Sequence, residues 1–338
     1  VVRAMATDRT RLVETLREDE FQTVAQLSAA LKINEATVAG HLQQLEQDGL
    51  PLQSASDCGF RLLEGITPID AGNLVEELEK AAFPYAGQVE ILDTVDSTSD
   101  WLSRQQNDGV DIHGKACITE FQSAGRGRRG RNWRGSPYCH LMFSMGWRFQ
   151  KEAVEMTGLS LSVGVAVADS LRHLSGAPVG LKWPNDLWCC DRKLGGILVD
   201  LNAASKPDAQ AIVGIGINLY EPGLEHFDPG QPVTDLASNV QDELPSRTTI
   251  VAVVMTAVAR GLDRFGRHQF GCDRDRFNAL DVFAGRKVQT SLGETSLEGM
   301  GQGVDEFGRY RLRFSNGSIE TIISGDLSLS LVDQRSSA

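Results

Sequence analysis

Gly125-Arg126-Gly127-Arg128-Arg129-Gly130-Arg131, followed by Trp133, separates two apolar runs, Ala116 to Glu120 and Leu141 to Trp147. Short apolar runs bounded by turn residues predict strands, so the chain between them reads as a loop. Its glycines let the backbone approach a ligand and turn N–H groups inward. Its arginines offer paired N–H donors that fit a carboxylate or a phosphate. A disordered RNA-binding tract has a similar composition, but such tracts lie in long disordered stretches, and this one sits between strands.

Charge sharpens that reading. The 338 residues carry a net charge of −12, yet no carboxylate occurs from Phe121 to Lys151. An isolated cationic segment on an acidic protein predicts a small anionic ligand, and the acidic whole argues against nonspecific coating of nucleic acid or anionic membrane. An apolar content of 41% supports ordinary cores, and the length suits two or three domains. Runs such as Val163 to Ala168 are too short to cross a bilayer, and no apolar core follows the first arginines. These features predict a cytoplasmic protein with no membrane partner. Cys58, Cys117, Cys139, Cys189, Cys190 and Cys272 form no CxxC pair and no zinc-finger spacing, so reduced thiols and no protein-held metal are expected.

Outward from the loop, further strands are expected at Val89 to Leu92, Val179 to Trp183, Gly195 to Leu201 and Ile212 to Leu219. Leu159 to Leu174 and Ile250 to Phe265 have helical periodicity. The middle of the chain is thus one α+β or α/β domain with a sizeable sheet. Pro207-Asp208 is a loop, and the Pro- and Gly-rich stretch Glu221 to Pro232 is a candidate flap.

Before this domain, Leu12, Val13 and Leu16 share one helical face, and Thr23 caps a second helix carrying Val24, Leu27 and Leu31. The turn Lys32-Ile33-Asn34 leads to a third helix with Val38, Leu42 and Leu45, ending near Gly49. Leu50 to Leu63, turning at Gly59, reads as a β-wing. The order is that of a winged helix-turn-helix, in which Thr23, Glu35, Ala36, Thr37 and His41 are candidates to face DNA. The zone holds six basic and ten acidic residues, and the helix from Glu35 to Asp48 has no Lys or Arg. DNA affinity normally comes from cations near phosphates, so weak binding is expected. After the middle domain, Tyr310, Leu312 and Phe314 alternate with arginines, and Asn316-Gly317 is a hairpin turn. A small SH3-type β-barrel fits.

Three more motifs carry chemistry. Lys182-Trp183-Pro184-Asn185-Asp186 places polar groups just past a strand, and Arg192-Lys193-Leu194-Gly195-Gly196-Ile197 places Lys193 just before the next one. A lysine there can hold an acyl or phosphoryl oxygen as charge builds. A solvated hairpin turn is the competing reading. Gly214-Ile215-Gly216-Ile217-Asn218 puts two glycines in a buried strand, as close approach of a ligand or backbone requires. Asp96-Ser97-Thr98-Ser99 offers hydroxyls for a polar heterocycle, or a helix cap.

Together and in this order, GRGRRGR, KWPND, RKLGGILV, GIGIN and DSTS resemble the biotin–protein ligase family, closely from about Val89 to Leu219. The flanking zones match the three-domain plan of its bifunctional bacterial members, which also repress the biotin operon. Arg276 to Val288 is similar to their entry into the C-terminal domain. The resemblance implies a winged helix-turn-helix (1–66), a class II synthetase-like catalytic domain (67–280) and an SH3-like domain (281–338). It implies ATP, Mg2+ and biotin as substrates and cofactors. The implied partners are the biotin carboxyl carrier protein of acetyl-CoA carboxylase, operator DNA, and a second copy joined on adenylate binding.

The same resemblance places biotin near Ser97, Thr98, Ser99, Gln122, Arg126, Gly127, Arg128 and Lys193, with Lys193 and Arg128 catalytic. It puts Arg128, Arg129, Arg131, Trp133, Lys182, Asn185, Asp186 and Asn218 on the nucleotide side. The family commonly has Asn where Ser99 stands, and the flap here lacks a tryptophan that some members place over adenine. Lipoate–protein ligases share a related fold without the arginine–glycine loop. The sequence is also compatible with a ligase that does not bind DNA and with a non-catalytic biotin sensor.

Overall fold

The computed structural model describes residues 2–4, 7–55, 58–151, 153–202, 208–220, 232–292, 295–323 and 329–331. Pro207 and positions 221–231 of the expected flap lie outside the described residues.

A two-residue strand, β1 (Arg3–Ala4), precedes three helices, α1 (Asp8–Thr15), α2 (Val24–Leu31) and α3 (Glu35–Gln47). Thr23 and Gln26 form a capping box at α2, and the Asn34 side chain accepts from Thr37 N–H at α3. Leu12, Val13, Leu27, Val38, Leu42 and Leu45 are buried between the helices. The wing is the antiparallel hairpin β2 (Leu52–Ala55) and β3 (Gly59–Leu62). The expected helix-turn-helix is therefore present. Two features were not expected. β1 pairs in parallel with a strand of the central sheet, and Tyr138 and Cys139, just beyond the arginine loop, are buried in the core of the helical module.

The central elements are α4 (Ala71–Lys80), β4 (Val89–Val95), α5 (Thr98–Asn107), β5 (Ala116–Gln122), β6 (His140–Phe149), α6 (Leu159–Ser175), β7 (Gly180–Lys182), β8 (Asp186–Cys189), β9 (Arg192–Asn202), β10 (Ala209–Asn218), α7 (Arg247–His268) and α8 (Arg274–Leu280). They build a mixed eight-stranded sheet in the order β1-β4-β5-β6-β10-β9-β8-β7, parallel at β1-β4-β5 and antiparallel elsewhere. The fold is α+β. Strand residues alternate between faces. Val213, Ile215 and Ile217 of β10 enter the main core with α6 and α7, while Ile212 meets Leu102 of α5 on the other face.

One local expectation is corrected. β7 ends before Pro184, as expected, and Trp183, Pro184 and Asn185 turn the chain into β8, pairing Lys182 with Asp186. Cys190 and Asp191, both left-handed (φ 49° and 59°), then form a second turn, of two residues. Turns of that hand match strand twist. β9 consequently begins at Arg192, and Lys193 lies within the strand rather than ahead of it.

The last strands, β11 (Lys287–Leu292), β12 (Thr295–Val304), β13 (Tyr310–Arg313), β14 (Ile319–Ile322) and β15 (Leu329–Leu331), form an antiparallel sheet in the order β14-β13-β12-β11-β15. The expected turn at Asn316-Gly317 joins β13 to β14, with Phe314 N–H donating to Ser318 O at 2.9 Å. This sheet is packed on the central domain: Phe283, Val288 and Tyr310 share its core, and the Trp183 indole N–H donates to Gly308 O at 2.9 Å.

Candidate functional site

On the α5 side of the sheet, β9 and β10 expose a floor almost without side chains. Gly196 pairs with Gly216, and Gly214 lies two residues along the same face. A Cβ on Gly216 would stand 2.6 Å from the Trp133 indole, and one on Gly214 would stand 2.9 Å from Ser99 Oγ. No ordinary side chain fits either position. The floor therefore receives Trp133 from the arginine loop at one end and the α5 hydroxyls at the other.

The hydroxyl end is a connected cluster. Thr98 N–H donates to Gln122 Oε1 at 2.8 Å, and Thr98 Oγ1 and Ser99 Oγ lie 2.7 and 2.9 Å from Ser144 Oγ. Ser97 caps α5 through its side chain. All four hydroxyl residues are buried. Ser144 was missed in the sequence. Its signal was a lone hydroxyl inside the apolar run Leu141 to Trp147.

The loop itself is folded. Gly127 N–H donates to Arg131 O at 2.7 Å, Trp133 N–H donates to Gly125 O at 2.8 Å, and Arg129 takes a left-handed conformation (φ 58°). Arg128 is half-buried and donates to Asn185 Oδ1 at 3.2 Å. Burial, with Arg129 beside it, pulls the Arg128 pKa down from its usual value, while Asp186 opposes the shift. Guanidinium stays charged at neutral pH, so this cation is held partly dry, where its field is stronger. Arg126, Arg129 and Arg131 are exposed. Arg126 pairs with Asp100 at 2.9 Å and Asp200 at 2.6 Å, neither of which the sequence singled out.

Across the floor, Lys193 Nζ lies 3.1 Å from Asp186 Oδ1, and the Asn185 side-chain amide donates to Ile197 O at 2.9 Å. Lys182 Nζ sits 4.7 Å from the Trp188 ring centroid and 5.7 Å from that of Phe283. Burial pulls the Lys182 pKa down; Asp186 raises it, and Lys193 and Arg131 lower it. Lys182, Asn185, Asp186, Lys193 and Arg128 thus form one polar group facing the loop. Asn218 is linked to it less directly. Its side-chain amide donates to Thr234 O at 3.0 Å, tying down a segment whose backbone pairs with Lys193 at 2.9 Å on each side.

A buried ion pair frames the loop. Arg247 joins the Glu120 carboxylate on β5 and donates to His140 O, the first residue of β6, at 2.9 Å. Glu120 also accepts from Ile69 N–H at 2.7 Å. Removing one partner of such a pair costs about 3–5 kcal/mol.

In the helical module, Thr23, Glu35 and Ala36 are exposed, and Thr37 and His41 are half-buried, along the starts of α2 and α3. Its arginines are engaged by other residues, and Arg9 also lies 3.9 Å from Asp93 and over the Phe121 ring of the central sheet. Arg9 pairs with Asp48 at 2.6 Å, Arg11 with Asp8 at 3.0 Å and Arg17 with Glu20 at 2.9 Å, while Arg61 stacks over Phe21.

Residues 92–218 match the biotin/lipoate A/B protein ligase family, and residues 7–50 match the bacterial regulatory proteins of the arsR family. The chain is similar to the bifunctional ligase/repressor BirA of Escherichia coli (strain K12), with 32% identity over 320 residues, covering 94% of this chain and 96% of that protein. It is also similar to the biotin–[acetyl-CoA-carboxylase] ligase of Mycobacterium tuberculosis, with 29% identity over 77% of this chain and 95% of that one. Among solved structures, a biotin protein ligase from Aquifex aeolicus in complex with biotin and ATP superposes with a TM-score of 0.60 and 28% identity, over 72% of this chain and 99% of that one.

Proposed function

This chain belongs to the biotin–protein ligase family, and on that premise we propose how its residues carry the reaction. It is a biotin protein ligase with an N-terminal helix-turn-helix repressor module. The observation behind the proposed site is the glycine floor of β9 and β10, closed by Trp133 and faced by Lys193, Asp186 and Arg128.

Biotin lies on that floor with its ureido ring toward Thr98, Ser99, Ser144 and Gln122 and its carboxylate toward Lys193 and Arg128. Ser97 shapes this end through α5, and the Arg126 and Gly127 backbone closes over it. Mg·ATP binds from the side of Lys182, Asn185 and Asp186, with Arg129 and Arg131 over the phosphates. The magnesium enters as part of the nucleotide substrate. A carboxylate oxygen of biotin attacks the α-phosphorus, and pyrophosphate leaves. The amine of an acceptor lysine then attacks the acyl carbon, AMP leaves, and the amide nitrogen gives up a proton. The protein contributes positioning, fixed positive charge and exclusion of water. Asn218 acts at one remove, by fixing the segment beside Lys193.

The acceptor is the biotin carboxyl carrier protein of acetyl-CoA carboxylase. Adenylate binding joins two copies through the catalytic sheet, and the pair binds operator DNA through Thr23, Glu35, Ala36, Thr37 and His41. The C-terminal sheet is the SH3-like barrel of a three-domain plan divided near residues 66 and 280, and the catalytic domain is class II synthetase-like. Incubation with biotin, Mg·ATP and a carboxyl-carrier domain, followed by intact mass, tests the ligase. One biotinyl addition is expected, and an unmodified carrier refutes the reading. A mobility shift on operator DNA that requires biotin and ATP tests repression.

A further inference from the structure

We propose that Asp100 and Asp200 act together through Arg126 as a two-carboxylate bolt that holds the arginine loop closed over the bound adenylate. The inference rests on the placement of that ligand given above, and it assigns two positioning residues for its retention.

The bolt spans three elements. Arg126 leaves the loop and places one guanidinium nitrogen, Nη2, 2.9 Å from Asp100 Oδ1 and 2.6 Å from Asp200 Oδ2. Asp100 lies in the first turn of α5, directly after the hydroxyl set Ser97, Thr98 and Ser99. Asp200 lies on β9, the strand that carries Lys193 and Gly196. One side chain therefore ties the loop to both elements that present the site's polar groups. At Arg126 the backbone also bridges to Asn132, and the next residue, Trp133, rests on Gly216. A force on Arg126 is thus felt at the tryptophan seal.

Charge supports this division of labour. No carboxylate occurs from Phe121 to Lys151, so the loop has no internal counter-ion, and the two acids are brought to it from distant sequence. Arg126, Asp100 and Asp200 are each more than a third exposed. Each contact is therefore weak, of the kind that tunes closure rather than folding.

Full-length wild type, Asp100→Asn, Asp200→Asn, the double variant and Asp200→Glu are compared in biotin-dependent ATP–pyrophosphate exchange, in release of preformed biotinyl-adenylate, and in tryptic nicking mapped by mass. Exposed pairs of this size predict about a threefold rise in biotin KM and release rate for each single variant and about tenfold for the double. The value of kcat stays within about twofold. Nicking after Arg126, Arg128, Arg129 and Arg131 rises in parallel, and Asp200→Glu restores wild-type values. Asp111→Asn, which breaks an exposed pair with Arg148, leaves nicking and KM unchanged. Unaltered nicking and KM in the double variant overturn the proposal. So does a fall in KM, which would mean that the acids compete with ligand for Arg126. Wild type without exchange activity sinks the ligase assignment instead, while faster nicking in the double variant still supports the bolt.

Discussion

The arginine loop and the helix α3 are both offered to polyanions, yet they are built in opposite ways. The loop gathers Arg126, Arg128, Arg129 and Arg131 within six residues, over a floor that holds Lys193 and borders Lys182. Helix α3 has neither Lys nor Arg, and Arg9, Arg11, Arg17 and Arg61 around it are engaged by other residues of the chain. The loop can draw an anion by charge alone. The helix can offer DNA only shape and base-edge contacts. This contrast predicts strong capture of a small anion and weak capture of DNA.

The largest effect expected is at the loop side of this contrast. Lys193→Ala should lower adenylate formation about 100- to 1,000-fold, and Arg128→Ala should act in the same direction. Normal pyrophosphate exchange in both would erase the contrast, since the cations would then be idle. Gly216→Val, which thrusts a Cβ into the Trp133 indole, should cost about 100-fold in exchange by displacing the loop. An unchanged melting temperature alongside that loss would separate loop placement from folding.

A third measurement probes the support beneath Lys182. Asp281 accepts from Phe283 N–H at 3.0 Å and from the Tyr310 hydroxyl at 2.9 Å, and burial raises its pKa from 3.8 to about 6. The folded value lies above the unfolded one. The stability this proton contributes is therefore full below pH 4 and lost as pH rises through about 6. The swing is about 3 kcal/mol at most. Asp281→Asn should flatten the melting temperature of the catalytic unit across that window and leave the helical module's pH response unaltered. A slope that persists in the variant would assign it to other groups.

The smallest effect is on the helix side. Gln43 and Gln47 are exposed on α3. Changing both to Lys should raise affinity for arbitrary duplex DNA several-fold at low salt and steepen the salt dependence by about 0.9 per phosphate reached. Fluorescence anisotropy across a salt series reads this directly. Tight, steeply salt-dependent binding by the unaltered chain would break the comparison.

Much of this was legible in the sequence because the signals are local. The capping residue Thr23, the helical stripes Leu12–Leu16 and Val38–Leu45, and the turn at Asn316-Gly317 are short-range patterns, and each appears where it was expected. The motifs, taken together and in order, likewise pointed to the family to which the chain belongs. Lys193 was placed just ahead of the strand instead of in its first residues because Cys190 is not a typical residue for a left-handed turn. Ser144 gave only the faint signal of a hydroxyl in an apolar strand.

What the sequence determined by itself is the order of the helix-turn-helix and ligase modules, the elements of the helical module, and the family. Tertiary structure alone decided their partners. Asp200 lies 74 residues from Arg126, Glu120 lies 127 residues from Arg247, and β1 joins a sheet whose nearest strand begins at Val89. Periodicity and turn chemistry act over a few residues, because they arise from backbone sterics and neighbouring side chains. Ion pairs and strand order depend on which distant surfaces the collapsed chain brings into contact, and no short window of sequence contains that distance.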